Sequence, residues 1–167
     1  EGSSMVSELQ SSNNMFEIKR GENGFVANSQ SKAGANLAEV QAATGNNRSS
    51  SGSGGTIYWN PYSVNGGLDV TGKTERPSYI GLGHEMAHAS DSNKGILHYS
   101  NNFGSYQSSY NGLLKSEWRA VYRENLIRMD AGVPVRTHYG INISGNGVMS
   151  PSGPSLVVPI WTVWGNI

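Results

Sequence analysis

The 167 residues contain no cysteine. That removes disulfides and thiolate metal sites together, so a metal held by this chain would rest on histidine and carboxylate alone. There is no excess of charge either: twelve Lys and Arg stand against twelve Asp and Glu. A balanced chain without a basic stripe argues against nucleic acid or an anionic membrane surface as its partner. Charged residues make up only 14%, below the usual quarter, while glycine and serine are abundant, so a loop-rich domain with a modest core is expected. No run approaches the roughly 18 apolar residues of a membrane span and no secretory-leader pattern opens the chain, so the chain as given is expected to be soluble. Its length suits one domain.

Short structured candidates alternate with polar connections. Residues 1–14 are polar and are expected to be flexible, 1–4 resembling a cloning remnant, with a single domain over 15–167. Met15 to Lys19 alternates apolar and polar residues and predicts a strand, with a short partner at Gly24 to Ala27 after a glycine turn. Ser31 to Ala43 predicts a short helix stopped at Gly45, and Asn46 to Gly55 is too rich in glycine and serine to pack. Thr56 to Asn60 (TIYWN), closed by Pro61, is the best strand pattern in the chain. A strand beside a cleft can offer its free edge to an extended chain, and that role is expected of Thr56 to Asn60, with Ile57, Tyr58 and Trp59 equally expected to build the core. Ser90 to Tyr110 lacks a period and predicts a long loop over the site. Asn111 to Met129 repeats apolar residues at three and four and predicts a helix, ended by Gly132 and Pro134. Leu156 to Trp164 predicts an extended segment, bent or at a sheet edge because of Pro159.

The chemistry concentrates in Ile80 to Ala89, IGLGHEMAHA. Four residues apart on a helix, His84 and His88 share one face and can aim both imidazoles at one ion. Glu85, displaced around the helix, can reach a metal-bound water rather than the metal, the division of labour of H-E-x-x-H zinc hydrolases. Pro77 closes the preceding segment and Ser78 is the predicted N-cap. Two surface histidines that happen to be four apart are the bland alternative. Against it, the flanks Ile80, Leu82, Met86, Ala87 and Ala89 would make buried histidines and an acid costly without a metal or a partner.

A catalytic zinc takes three protein ligands, and four residues compete for the third place. Glu117 lies on the second predicted helix among Leu113, Leu114, Ala120 and Val121, with no local basic partner, and ranks first. Glu124, two turns on, has Arg128 four residues later and reads equally as half of a helix ion pair. His98 and Asp91 rank lower, because no fixed helix positions them.

The run PSYIGLGHEMAHA, followed by SEW, ENLIR and GVPVRTHYG, resembles the zinc metallopeptidase domains of NleD-type bacterial effectors and the similar C-terminal toxin domains of RHS-repeat polymorphic toxins. The similarity spans roughly Gly55 to Tyr139. It implies an α+β, zincin-like metallopeptidase of gluzincin type, with a small sheet, an HExxH helix and a second helix bearing the acidic ligand, whose matching position is Glu117. The family often has two adjacent acids where this chain has Ser116 and Glu117, and Glu124 follows closely, so the choice between the two glutamates stays open. The resemblance also implies zinc as cofactor, a protein substrate, secretion and delivery into another cell, and an immunity protein as a further partner; a monomer is expected.

The expected reaction is peptide-bond hydrolysis with zinc on His84, His88 and Glu117 and with Glu85 as general base. Tyr139, His138 or Arg136 would be the second donor to the developing oxyanion, Tyr139 first. Glu124 and Asn125 are expected behind the histidines. Two other classes remain open: a catalytically inactive module that binds a partner through the Thr56 to Asn60 edge, and a metal-dependent amidase acting on cell wall.

Overall fold

A computed structural model of the chain describes residues 1–34, 52–97, 109–145 and 149–157. The described residues form an α+β arrangement of helices α1 (Gly2–Gln10), α2 (Gln30–Ala33), α3 (Ser78–Asn93) and α4 (Lys115–Asp130). The strands are β1 (Phe16–Arg20), β2 (Gly24–Ala27), β3 (Gly55–Trp59), β4 (Ser109–Tyr110), β5 (Leu113–Leu114), β6 (His138–Ile143) and β7 (Met149–Ser155).

The three-stranded sheet has the order β1-β3-β2. β1 runs parallel to β3, with Ile18 opposite Ile57, while β2 runs antiparallel to it, with Phe25 also opposite Ile57. The strand pattern at Thr56 to Asn60 is therefore right, but its expected free edge is not: β3 is the centre of the sheet, hydrogen-bonded on both sides. Its Ile57, 1% exposed, belongs to the core. The open edges of this sheet are those of β1 and β2, and an inactive module docking through β3 loses its surface.

The core joins that sheet to α1, α3 and α4. Met5, Leu9, Ile57, Met86, Ala87, Ala89 and Ala120 are buried together, with Phe16, Phe25, Leu82 and Ile127 packed against them. The N-terminal stretch expected to be flexible instead forms α1. Met5 and Leu9 lie four apart on one face and are buried, and Glu8 accepts hydrogen bonds from Ser90 Oγ at 2.8 Å and Lys94 Nζ at 2.9 Å. Two apolar anchors in a polar string give a weak local signal. A nine-residue helix of this kind is held by docking rather than by propensity.

α3 extends further than expected at its C-terminal end. The loop read from Ser90 onward begins only after Asn93, since Ser90, Asp91 and Ser92 are helical and buried. At the other end Pro77 occupies the cap position and Ser78 is the first helical residue. Gly83, a poor helix former by about 1 kcal/mol, is there for space: a Cβ on it would lie 2.4 Å from Ile127 Cδ1 of α4. The predicted second helix is α4, starting at Lys115 after the short β5. It ends where Gly132, at φ +66°, lets its own N–H reach Met129 O and lets Val133 N reach Arg128 O.

A hairpin of β6 and β7, with Asn142 opposite Ser150, follows α4 and was not visible in the sequence. β7 reads MSPSGPS, without β-branched or aromatic residues, and its prolines are tolerated on a two-stranded ribbon where one side of each strand needs no partner. The helix predicted for Ser31 to Ala43 is represented by α2, and the rest of it lies outside the described residues. So do His98, most of the polar stretch Asn46 to Gly55, and the greater part of Leu156 to Trp164.

Candidate metal centre

α3 and α4 pack against each other and bring the predicted residues together. His84 and His88 stand one turn apart with ring centroids 5.0 Å from each other and planes at 80°. Glu117, in the first turn of α4, faces both: its Oε2 lies 3.2 Å from His84 Nε2 and its Oε1 3.3 Å from His88 Nε2. One ligand atom from each of the three lies within 4.8 Å of the others, a spacing that could hold a metal ion. Two imidazoles and one carboxylate, with no thiolate, are the donor set of a catalytic zinc position. The chain's residues fit the ion that the motif implies.

The other nitrogen of His84 faces Glu124. Glu124 is fully buried, and its Oε2 lies 3.0 Å from His84 Nδ1. The same oxygen accepts from Arg136 Nη1 at 3.0 Å, while Oε1 accepts from Arg128 Nε at 2.9 Å. The predicted Glu124 to Arg128 ion pair is present, and a histidine and a second arginine share the same carboxylate. Glu124 therefore supports the histidine from behind, while Glu117 faces the ring nitrogens that converge. Asn125, also expected behind the histidines, instead holds the backbone of Arg136, through 2.7 and 3.0 Å hydrogen bonds.

The electrostatics follow from this packing. Burial alone would lower the pKa of His84, but hydrogen bonds to Glu117 and Glu124 outweigh it and push the imidazole up to about 9. Burial would raise both glutamates. For Glu117 the hydrogen bonds to His84 and His88 overcome it, and for Glu124 the bond to His84 with the charges of Arg136 and Arg128 does so, leaving both carboxyls far below the usual range. Burial and then the adjacent Glu117 charge raise the phenol of Tyr139 above its ordinary value.

A cleft of about 330 Å³ opens over this centre, lined on one side by His84, Glu85, His88, Glu117 and Tyr139 and on the other by Asn23, Gly24 and Phe25. Of the three expected oxyanion donors, only Tyr139 lines it. His138 Nδ1 turns to Thr137 Oγ1 at 3.1 Å, and the Arg136 guanidinium is taken up by Glu124 and two backbone carbonyls. Asp91, offered as a possible ligand, is ion-paired with Arg119 at 2.7 Å, both side chains 3% exposed.

Sequence reading passed over Arg76, whose guanidinium presses against α3: a Cβ on Gly81 would lie 2.5 Å from its Nη1. Its Nε and Nη1 are buried without a hydrogen-bond partner. Beside it in sequence Pro77 signals a helix start, and nothing local tells of a charge packed beneath that helix. The β2 wall of the cleft was missed as well, since which strand borders a helix is decided by sheet order.

The family model of the M91 peptidases, described as effector protein, matches residues 1–139. The chain belongs to the M91 peptidase family. The NleD-type kinship expected from the motifs is borne out, and the match takes in α1, which the motif resemblance did not reach. No curated protein and no solved structure matches the chain significantly. Among the described residues no helix is long and apolar enough to cross a membrane.

Proposed function

We propose that this M91 peptidase is a zinc-dependent endopeptidase, of zincin-like fold, that acts as a toxin or effector domain after delivery into another cell and cuts a protein there. The observation that carries the proposal is the convergence of His84, His88 and Glu117 in one cleft with Glu85 and Tyr139. Bound zinc would supply Lewis acidity towards the scissile carbonyl and an acidified water. Glu85 takes the proton of the attacking water and returns it to the leaving amine. The Tyr139 phenol, kept protonated, donates to the developing oxyanion. Glu124 accepts from the Nδ1–H of His84 and so keeps Nε2 turned to the side on which His88 and Glu117 converge, where its lone pair would be free for an ion.

The substrate-binding edge moves from β3 to β2. Asn28 N–H donates to Gly54 O at 2.9 Å, and in an antiparallel pair alternate residues face the same partner. Val26 then faces β3, while the N–H and C=O of Phe25 turn outward beside the cleft it lines. An extended segment of substrate adds there as a further strand. An RHS-type carrier and an immunity protein in the producing cell belong to the same proposal and rest on the family resemblance.

Metal analysis combined with peptide-library cleavage tests the activity. Wild type and Glu85→Gln should both bind one zinc, and only the wild type should cut. Equal cleavage by the two proteins, or no zinc in either, would overturn the proposal.

A further inference from the structure

Arg136 stood among the expected oxyanion donors, yet it does not line the cleft. It is 8% exposed, and every arm of its guanidinium is engaged elsewhere. Nη1 donates to Glu124 Oε2 at 3.0 Å, Nε to the His138 carbonyl at 3.1 Å, and Nη2 to the Tyr139 carbonyl. The guanidinium carbon sits 4.8 Å from the centroid of the Tyr139 ring. Asn125 holds the Arg136 backbone on both its N–H and its C=O. Gly67 leaves the room required, since a Cβ there would lie 2.4 Å from Arg136 Nε and 2.1 Å from His138 O. Each guanidinium nitrogen is held in this way and the side chain does not line the cleft, but both groups it grips belong to the centre. Glu124 Oε2 also accepts from His84 Nδ1, and Tyr139 lines the cleft together with Glu117.

We propose that Arg136 is a positioning residue: it fixes the Tyr139 ring against the cleft and couples it, through Glu124, to His84. The catalytic consequence rests on the peptidase proposal above, whereas the placement of the ring does not. The physical reason is the planar fork of arginine. Two carbonyls and a carboxylate set the plane of the guanidinium, and that plane in turn restrains the aromatic ring beside it. Lysine would keep the charge opposite Glu124 and lose both the fork and the plane.

The test uses the whole chain labelled with 3-fluorotyrosine, Tyr139→Phe identifying the residue-139 resonance among the eight tyrosines. In metal-free wild type this fluorine line is single and displaced from those of exposed tyrosines; in Arg136→Lys it moves towards them. With zinc saturating, Arg136→Lys lowers kcat by about 10- to 100-fold, the cost of a misplaced catalytic group, and leaves KM within about twofold. In a Tyr139→Phe background the same substitution costs less than about threefold, because no phenol remains to be aimed. Asn125→Ala, which loosens Arg136 without altering its guanidinium, shifts the fluorine line in the same direction by less and serves if Arg136→Lys does not fold. An unchanged residue-139 line in a folded Arg136→Lys or Asn125→Ala protein overturns the proposal, as does a kcat loss that multiplies in full with that of Tyr139→Phe. A wild type that binds zinc and cuts nothing removes the peptidase reading, and the fluorine line alone then decides the positioning role.

Discussion

Glutamine placed at either of the two glutamates on α4 should separate the acid that faces the metal from the acid that supports a ligand. Glu124 is 0% exposed, and its arginine partners Arg128 and Arg136 are 1% and 9% exposed. Glu124→Gln leaves two buried guanidinium groups facing a neutral amide. Breaking a buried ion pair from one side costs about 3–5 kcal/mol. Because glutamine keeps one acceptor oxygen, the lower figure of about 3 kcal/mol is expected, or about 6–12 °C in Tm for a chain of this length. Losing the charged partner of His84 should also weaken zinc about 10- to 100-fold. Glu117 is different: it is 18% exposed and pairs with His84 and His88, so its loss leaves no buried guanidinium facing a neutral group. Glu117→Gln should therefore lower the metal-free Tm by less than Glu124→Gln does, yet weaken zinc by more than about 100-fold, beyond the range for a supporting residue. Thermal melts in chelator and competition titrations against a chromophoric chelator measure the two effects. A metal-free Tm within about 2 °C of wild type for Glu124→Gln, or a greater zinc loss in Glu124→Gln than in Glu117→Gln, would refute the reasoning.

The metal-free protein should be most stable between about pH 4.5 and 6.5. His84, raised from 6.5 to about 9, contributes stability that is complete below 6.5 and lost as pH rises through 9, whereas Glu117 and Glu124, lowered from 4.5, contribute stability that is lost as pH falls below that value. Since zinc needs neutral His84, the Tm gain on adding zinc should grow between pH 6.5 and 9; a gain independent of pH would count against the His84 environment. Asp91→Asn removes the carboxylate charge opposite the buried Arg119 and should cost about 3 kcal/mol with zinc stoichiometry unchanged, and loss of zinc from the folded variant would make Asp91 a ligand candidate again. Gly83→Ala gains about 1 kcal/mol of helix propensity but overpacks against Ile127 by about 1–3 kcal/mol, for a net loss of about 1 kcal/mol in denaturant titration. Ile127→Val should recover part of that loss, and a Gly83→Ala protein more stable than wild type would show that the helix contact is loose.

Legibility followed the range of the interaction. β2 was bounded correctly from Gly24 to Ala27, and the β3 and α4 patterns were recognisable, because alternation and three-four periodicity are properties of neighbouring residues. α1 was passed over because Met5 and Leu9 mean nothing until α3 and the sheet give them something to pack on. The β6-β7 hairpin was invisible because its second strand has no strand-forming residues. The free edge was assigned to β3 because a strand's composition reports that it is a strand, while its neighbours are chosen by the topology. Arg136 was read as a donor to the oxyanion because its charge is evident in the sequence, but the four groups that occupy it come from α4 and from the start of β6.

The pairing of His84 with His88, and the place of Glu85 beside them, were determined by the sequence alone, since four-residue spacing on a helix puts two side chains on one face whatever surrounds it. Glu117 ranked ahead of Glu124 at that level, because Arg128 stands four residues after Glu124, yet the two share one face of α4 seven residues apart and the choice stayed open. The crossing of α4 over α3 gives the two acids different surroundings. It sets Glu117 against the Nε2 atoms of both histidines and buries Glu124 against Nδ1 of His84 with two arginines. A residue's reach along its own helix is encoded locally, but the side of a ring that it meets 33 or 40 residues away depends on how two helices pack.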